Sequence, residues 1–538
     1  MGSSATGRSE LSYIDRRMAS AAALQSADSP LPRIKLTPTY LIIGLIALAA
    51  IVRVVGLGSR PLWLDEGYSV YAVEQSWHGL WTIVASYETH PPFYYSLLKL
   101  WSALVGTSPI ALRSLSVLLS VATIPVVIAA ALELEKGEPT GRPLLRAGIA
   151  GLLAACSPML IYLDQQARPY ALLVLAYAIA MLGLLRLLRE FGSSGSGSVR
   201  SWALLVVGTA LTLWSHNLGL LYASCLALAL APAWLTAPVS RARIVRGLGA
   251  ATAILLLYAP CLLITAKQVG SWGTSWLKWE PSKLLELIGF YSIPFEALTI
   301  GSAVAALIML LLIKRAIQHA AVEPGWTSGR ALLLLWWGPS LLAVAISAFF
   351  IPVFLARTLA GTLVPAYLAL AGAVARTPSS RERLFLSAAL TITLLPTAVQ
   401  TALEPASEKW DQVAAFLQRA VRPADEVWIY PNDSVLALRK ADPSGPYRTR
   451  QLPADFPALT FKGVNRSGSP ATPSMTAAQA QRVASDPSIR SVPTIWLVTR
   501  QISIFDPHND FERALRQTRR PGKVQTWGYI EVRPYYAK

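Results

Sequence analysis

The sequence predicts a polytopic α-helical membrane protein of about eleven transmembrane helices, followed by a C-terminal extracytoplasmic α/β domain. Three observations predict it. Of 538 residues, 53% are hydrophobic and 14% charged, where soluble domains carry about 25% charged residues. Apolar segments long enough to cross a bilayer recur along the chain, and mean hydropathy is positive. After residue 401 the composition turns polar and no spanning segment follows.

The spans are read at 38–57, 109–132, 147–163, 170–188, 202–217, 219–237, 247–266, 296–314, 331–351, 358–375 and 384–401. The division inside 202–237 rests on one polar break, Ser215-His216-Asn217. The leading tail, 1–37, is polar, Ser/Ala-rich and mildly basic, and lacks the apolar core of a signal peptide.

The formal charge of +18 resides in short basic clusters between apolar segments. That is the positive-inside pattern of membrane proteins, and it argues against a nucleic-acid partner. With the tail (Arg8, Arg16, Arg17, Arg33, Lys35) in the cytoplasm, every second loop is basic, from Lys136, Arg142 and Arg146 to Arg376, Arg381 and Arg383. The Gly192–Ser198 run is a flexible linker on that side. An odd number of spans carries 402–538 to the outside. Cys156, Cys225 and Cys261 lie in apolar segments without metal-ligand spacing and read as small core residues.

The outer loops are then 58–108, the turns at 164–169, 216–218 and 352–357, and 267–295. The first, rich in Trp and Tyr, suits the headgroup level, and 93–104, opened by Pro91-Pro92, reads as a helix lying at the interface. The 267–295 loop, with Trp272, Trp276 and Trp279, reads as a lipid-contacting flap. In the C-terminal part, Glu408–Ala420 predicts an amphipathic helix, Glu426–Tyr430 and Thr494–Val498 predict buried strands, and 440–475 reads as loop.

Three clusters could carry chemistry. Asp65 and Glu66, in Trp63-Leu64-Asp65-Glu66-Gly67-Tyr68, share the first outer loop with Glu88 and His90. They are either solvated loop charges or a general base with a neighbour that tunes its pKa. Arg168, in the polar turn Asp164-Gln165-Gln166-Ala167-Arg168, is either a phosphate ligand or an arginine reaching to headgroups. Arg357, at the outer start of a span, presents the same choice, and His216-Asn217 lies on the same side. There is no Walker loop, no G-x-G-x-x-G turn and no His/Cys metal constellation. Convergence of Glu88, His90 and Asp65 would offer a divalent-cation site.

The motifs Trp63-Leu-Asp-Glu-Gly-Tyr68, His90-Pro-Pro-Phe-Tyr-Tyr95, Ala111-Leu-Arg-Ser-Leu-Ser116 and Gln165-Gln-Ala-Arg-Pro-Tyr170, in that order, resemble the bacterial GT-C membrane glycosyltransferases. Within them the chain is most similar to glycosyltransferase family 39, the protein O-mannosyltransferase-like group that includes lipid A aminoarabinose transferases. The resemblance runs over residues 40–400. It implies a GT-C fold in the bacterial inner membrane. It also implies transfer of a monosaccharide from a polyprenyl-phosphate donor to a hydroxyl of a lipid-linked or cell-envelope glycan, on the outer side and with inversion. By motif position Asp65 is the base, with Glu66 as neighbour or alternative. Arg168 and Arg357 bind the donor phosphate, and Glu88, His90, Tyr94, Gln166 and Tyr170 shape the substrate site. The chain lacks the later D-x-D of metal-dependent relatives, so no cofactor is implied with certainty and a divalent cation is left open. The alternatives are a lipid-linked-sugar flippase, an O-antigen ligase or polymerase, and a glycan-binding scaffold. A flippase would favour repeated halves, and a ligase a large late outer loop.

Overall fold

The computed structural model describes residues 38–193, 195–272, 276–286, 300–322 and 325–538. The expected cytoplasmic tail, much of the 267–295 flap and the start of the 296–314 span lie outside them. Gly44–Lys538 forms one compact unit, and the site described below lies within it.

Among the described residues, seven helices are long and apolar enough to cross a membrane, or eight if the pair Pro143–Ala155 and Pro158–Asp164, bent by 50°, counts as one span. Shorter apolar helices cover Thr39–Val54 and Val199–Ser215, and Ile300–Val322 is helical. Among the described residues, each of the eleven apolar segments therefore lies mainly on helix.

Their starts are written locally. Ser108, Ser157, Ser198, Thr327 and Ser379 each accept a backbone N–H from the first turn, and Pro109 and Pro158 occupy first-turn positions whose N–H would have no helical partner. Prolines 125, 232, 260, 339 and 396 sit inside helices, where neighbouring helices can satisfy the carbonyls they free.

The segment 58–108, expected as the first outer loop, is largely helical. Leu64–Glu74 is followed by a helical run from Trp77 to Tyr87 with a π-turn at Leu80–Val84, and then by the expected helix Phe93–Val105. Lys99 Nζ donates to the Val73 and Gln75 carbonyls, each at 2.7 Å, and so closes the C-terminal end of the first of these helices. Val70, Tyr87, Tyr94, Tyr95 and Leu98 bury a shared core with Leu112 and Leu115 of the helix Pro109–Gly137.

The C-terminal part is an α/β unit with a six-stranded sheet ordered β2-β1-β3-β6-β4, with β5 also on β6. Its strands are β1 Glu426–Tyr430, β2 Arg448–Gln451, β3 Thr494–Arg500, β4 Arg519–Pro521, β5 Gln525–Trp527 and β6 Ile530–Ala537. Parallel pairing places Val427 opposite Thr449 and Trp496, and β6 runs antiparallel to β3. Val427, Trp428 and Ile429 are all buried, as expected of a central strand covered on both faces. The 440–475 stretch read as loop contains β2, a four-residue edge strand of Arg, Thr and Gln whose polar pattern gives no strand signal. The amphipathic helix spans Trp410–Ala420.

This unit grips the segment 58–108. Phe456 meets Tyr68, Tyr71 and Tyr87 edge-on at 5.4, 5.0 and 5.6 Å. Gly67 lies against the helix Ser434–Ala441, where a β-carbon would stand 3.0 Å from Leu436 Cβ and 3.2 Å from Ala437 N.

Candidate active site

The helix Leu64–Glu74 begins between two carboxylates. Glu66 accepts the Trp63 N–H at 3.4 Å, and Glu408 of the C-terminal part accepts the Leu64 N–H at 3.1 Å. Negative charge there answers the unpaired N–H groups and the positive end of the helix. Glu408 is itself held by Arg500 at 2.6 Å and by Trp410 Nε1 at 2.8 Å.

Adjacent residues on a helix diverge by about 100°, and this separates the carboxylate pair. Glu66 is fully buried, clasped by Arg113 at 2.7 and 2.6 Å, and accepts the Ala167 N–H at 3.0 Å. Arg113 also donates to the Leu57, Arg60 and Pro61 carbonyls. Asp65 keeps about a fifth of its side chain exposed, 21%, in a cavity of about 670 Å³.

The polar turn after Asp164 is fastened to the same helix. Ser69 Oγ donates to the Ala167 carbonyl at 2.7 Å, and Gln165 Nε2 donates to the Arg53 and Val55 carbonyls. Asp164 points away from the cavity and accepts from Arg53 Nε at 2.8 Å. The turn thereby presents Arg168, whose Nη1 donates to the Asp65 carbonyl at 3.0 Å and to Tyr95 Oη at 2.9 Å, while Nη2 lies 3.4 Å from Glu88. Burial works against this guanidinium, but Tyr95, Glu88 and Asp65 outweigh it and hold it firmly charged. Arg357, in the short 3-10 helix Ala356–Thr362, pairs with Asp65 at 3.3 Å and lies 5.6 Å over the Trp63 ring.

Glu88 and His90 form the next layer. His90 Nδ1 is 2.8 Å from Glu88 Oε1, and the imidazole ring meets His216 edge-on at 4.7 Å and Tyr170 at 5.9 Å. Burial pushes the Glu88 carboxyl up, but Arg168 and His90 overcome this and hold it at about 2. Burial, then Arg168, lowers His90 below its usual value, so it is neutral at pH 7.

Asp65, Glu66, Glu88, His90, Gln166, Arg168, Tyr170 and Arg357 all line the one cavity, as do His216 and Asn217. Tyr94 does not. It is buried behind the wall with its hydroxyl 3.0 Å from Ser116, and its neighbour Tyr95 is the one that reaches Arg168. Glu88, His90 and Asp65 do not gather as cation ligands, because Arg168 stands among them and Arg357 answers Asp65. Among the described residues no three His, Cys, Asp or Glu side chains form a metal-ligand set.

Asp433, Glu408 and Arg500, which the C-terminal unit brings to the same cavity, are not among the site residues expected from sequence. Nothing near them in sequence signals this. Arg113 and Tyr95 stood inside motifs that were legible, without a role.

No family model matches the chain, and no curated protein matches it. Solved structures do. The apo structure of ArnT from Cupriavidus metallidurans aligns with a TM-score of 0.58 and 13% identity, over 92% of this chain and 98% of that one. ArnT bound to undecaprenyl phosphate aligns at 0.56 and 14%, over 93% and 98%. At these identities the likeness is one of fold: the chain has the GT-C fold, with apolar helices followed by a small sheet domain.

Proposed function

We propose that this GT-C protein is a glycosyltransferase that moves a monosaccharide from a polyprenyl-phosphate donor to a hydroxyl of a lipid-linked or envelope glycan. The observation that carries the reading is the Asp65–Arg357–Arg168 constellation: one partly exposed carboxylate, with two arginines beside it, on the wall of a large cavity. The solved ArnT structure that contains undecaprenyl phosphate supports the donor class, since this chain shares its fold over nearly its whole length.

The chemistry balances on these groups. Asp65 takes the proton of the acceptor hydroxyl as that oxygen bonds to the anomeric carbon. The bond from this carbon to the phosphate oxygen breaks on the opposite face, which inverts the centre, and the polyprenyl phosphate leaves with the electron pair. Arg357 and Arg168 meet the charge that grows on it, where a fixed cation is worth most. The Arg357–Asp65 pair, loose and partly exposed, is weak. A donor phosphate competes for Arg357 and frees Asp65 for the proton. Glu66 is reserved for structure by Arg113. Glu88 holds His90 and Arg168 in place, Gln166 and Tyr170 complete the wall, and Tyr94 supports it from behind. Among the described residues no His, Cys, Asp or Glu set would hold a cation, and no step is routed through one.

The loop charges favour an outward-facing cavity, with the tail 1–37 in the cytoplasm and 402–538 on the outer side of an inner membrane. The domains we assign are the tail, the transmembrane part 38–401 with its first loop 58–108, and the C-terminal part. The test incubates membranes carrying the protein with radiolabelled polyprenyl-phosphate sugar and envelope lipids. Label should appear in the glycan as polyprenyl phosphate is released. Movement of intact donor across the membrane without bond cleavage would favour a flippase.

A further inference from the structure

The C-terminal unit contributes a wall of the cavity that the proposed transfer chemistry leaves unused. Asp433, Ser467, Gly468, Ser469, Phe505 and Tyr529 line it. Asp433 is 3% exposed. Its Oδ2 accepts from Tyr68 Oη at 2.9 Å, and its Oδ1 has no hydrogen-bond partner among the described residues. Ser469 Oγ is likewise buried without a partner. The two are tied together, since Tyr68 Oη also touches Thr472 Oγ1 at 3.1 Å and the Thr472 N–H donates to the Ser469 carbonyl.

Buried polar atoms left unpaired are costly and rare, and two on one cavity wall point to a ligand that completes them. A carboxylate oxygen accepts, and a serine hydroxyl both donates and accepts. A ligand presenting neighbouring hydroxyls matches both. Phe505 and Tyr529 add the flat apolar surface that usually accompanies a few convergent polar groups in a small-molecule site. An anionic ligand is disfavoured beside Asp433 and Glu408, since the cation on this wall, Arg500, is already engaged by Glu408 at 2.6 Å.

We infer that Asp433 and Ser469 form a sugar-binding subsite, in which the C-terminal unit holds a pyranose ring through its hydroxyls. The subsite rests on the glycosyltransferase reading for its purpose, not for its geometry. The ring belongs either to the acceptor glycan or to the donor.

The test uses the full chain in lipid nanodiscs, with methyl α-glucopyranoside and methyl α-mannopyranoside as probes in saturation-transfer NMR. Wild-type protein should transfer saturation to at least one of them. Asp433→Asn and, independently, Ser469→Ala should weaken that binding about ten-fold, the scale of a lost hydrogen bond to a charged group, while an undecaprenyl-phosphate thermal shift stays at the wild-type value. In the transfer assay the same variants raise KM for the acceptor if the ring is the acceptor's, and for the donor if it is the donor's. Equal saturation transfer from wild type and both variants, or none from wild type, would overturn the subsite. Sugar binding that depends on Asp433 in a protein that transfers no label would keep the subsite and remove the proposed enzyme.

Discussion

At the scale of single residues, the account turns on two neighbours with opposite duties. Asp65 stands partly exposed in the cavity and Glu66 is locked into its wall by Arg113, because one helical step separates them. Replacing Glu66 by Gln leaves Arg113 buried without its counter-ion, and breaking such a pair costs about 3–5 kcal/mol. A fall in the thermal midpoint of the purified variant checks this. Arg357→Ala should lower transfer about a hundred-fold, and Arg357→Lys should recover part of it, since an ammonium keeps the charge but loses the fork. Initial rates at saturating acceptor decide the matter. The same helical geometry explains what the sequence concealed. Motif order marked 65–66 and 94–95, but which member of each reaches Arg357 or Arg168 depends on the rotation of its helix. Asp65 pairs with Arg357 and Tyr95 with Arg168, while Glu66 is held by Arg113 and Tyr94 by Ser116.

At the scale of elements, the informative feature is the joint between the segment 58–108 and the C-terminal unit. Phe456→Ala removes three edge-on aromatic contacts, each worth about 0.5–1.5 kcal/mol, and should speed amide exchange in Leu64–Glu74. Asp433, in the same joint, gives a pH signature. Burial raises its carboxyl from 3.8 to about 6. Arg500 and its Tyr68 hydrogen bond pull it down, and Glu408 and Asp65 push it up. A raised carboxylate supports the fold fully below its unfolded value and loses that support as pH rises through the folded one. Asp433→Asn should therefore be more stable than wild type at pH 8, by an amount on the order of 3 kcal/mol, and the gap should close toward pH 4. Thermal midpoints across that range measure it. These contacts were illegible in sequence. The helix Trp410–Ala420 and strands β1 and β3 announce themselves by apolar pattern, but β6, Ile530–Ala537, interrupts its apolar residues with Glu531, Arg533 and Pro534 and is not among the expected strands. No local signal says that Glu408 will cap a helix 344 residues away.

At the scale of the whole molecule, apolar runs and alternate basic loops were enough to recover the helical segments and to gather residues as far apart in sequence as 65, 168 and 357. The positive-inside bias does this work, because it puts three distant turns on one side before any contact is known. Its consequence is checkable. Alkaline phosphatase fused after Lys538 should be active and a green fluorescent protein at the same point dark, and the opposite pattern would place the cavity in the cytoplasm. The central claim is that Asp65 removes the acceptor proton, and the most direct measurement is the single-turnover transfer rate of Asp65→Asn per folded molecule. The account predicts a wild-type melting midpoint with transfer reduced about a hundred- to ten-thousand-fold. Transfer by the folded variant at the wild-type rate would contradict it.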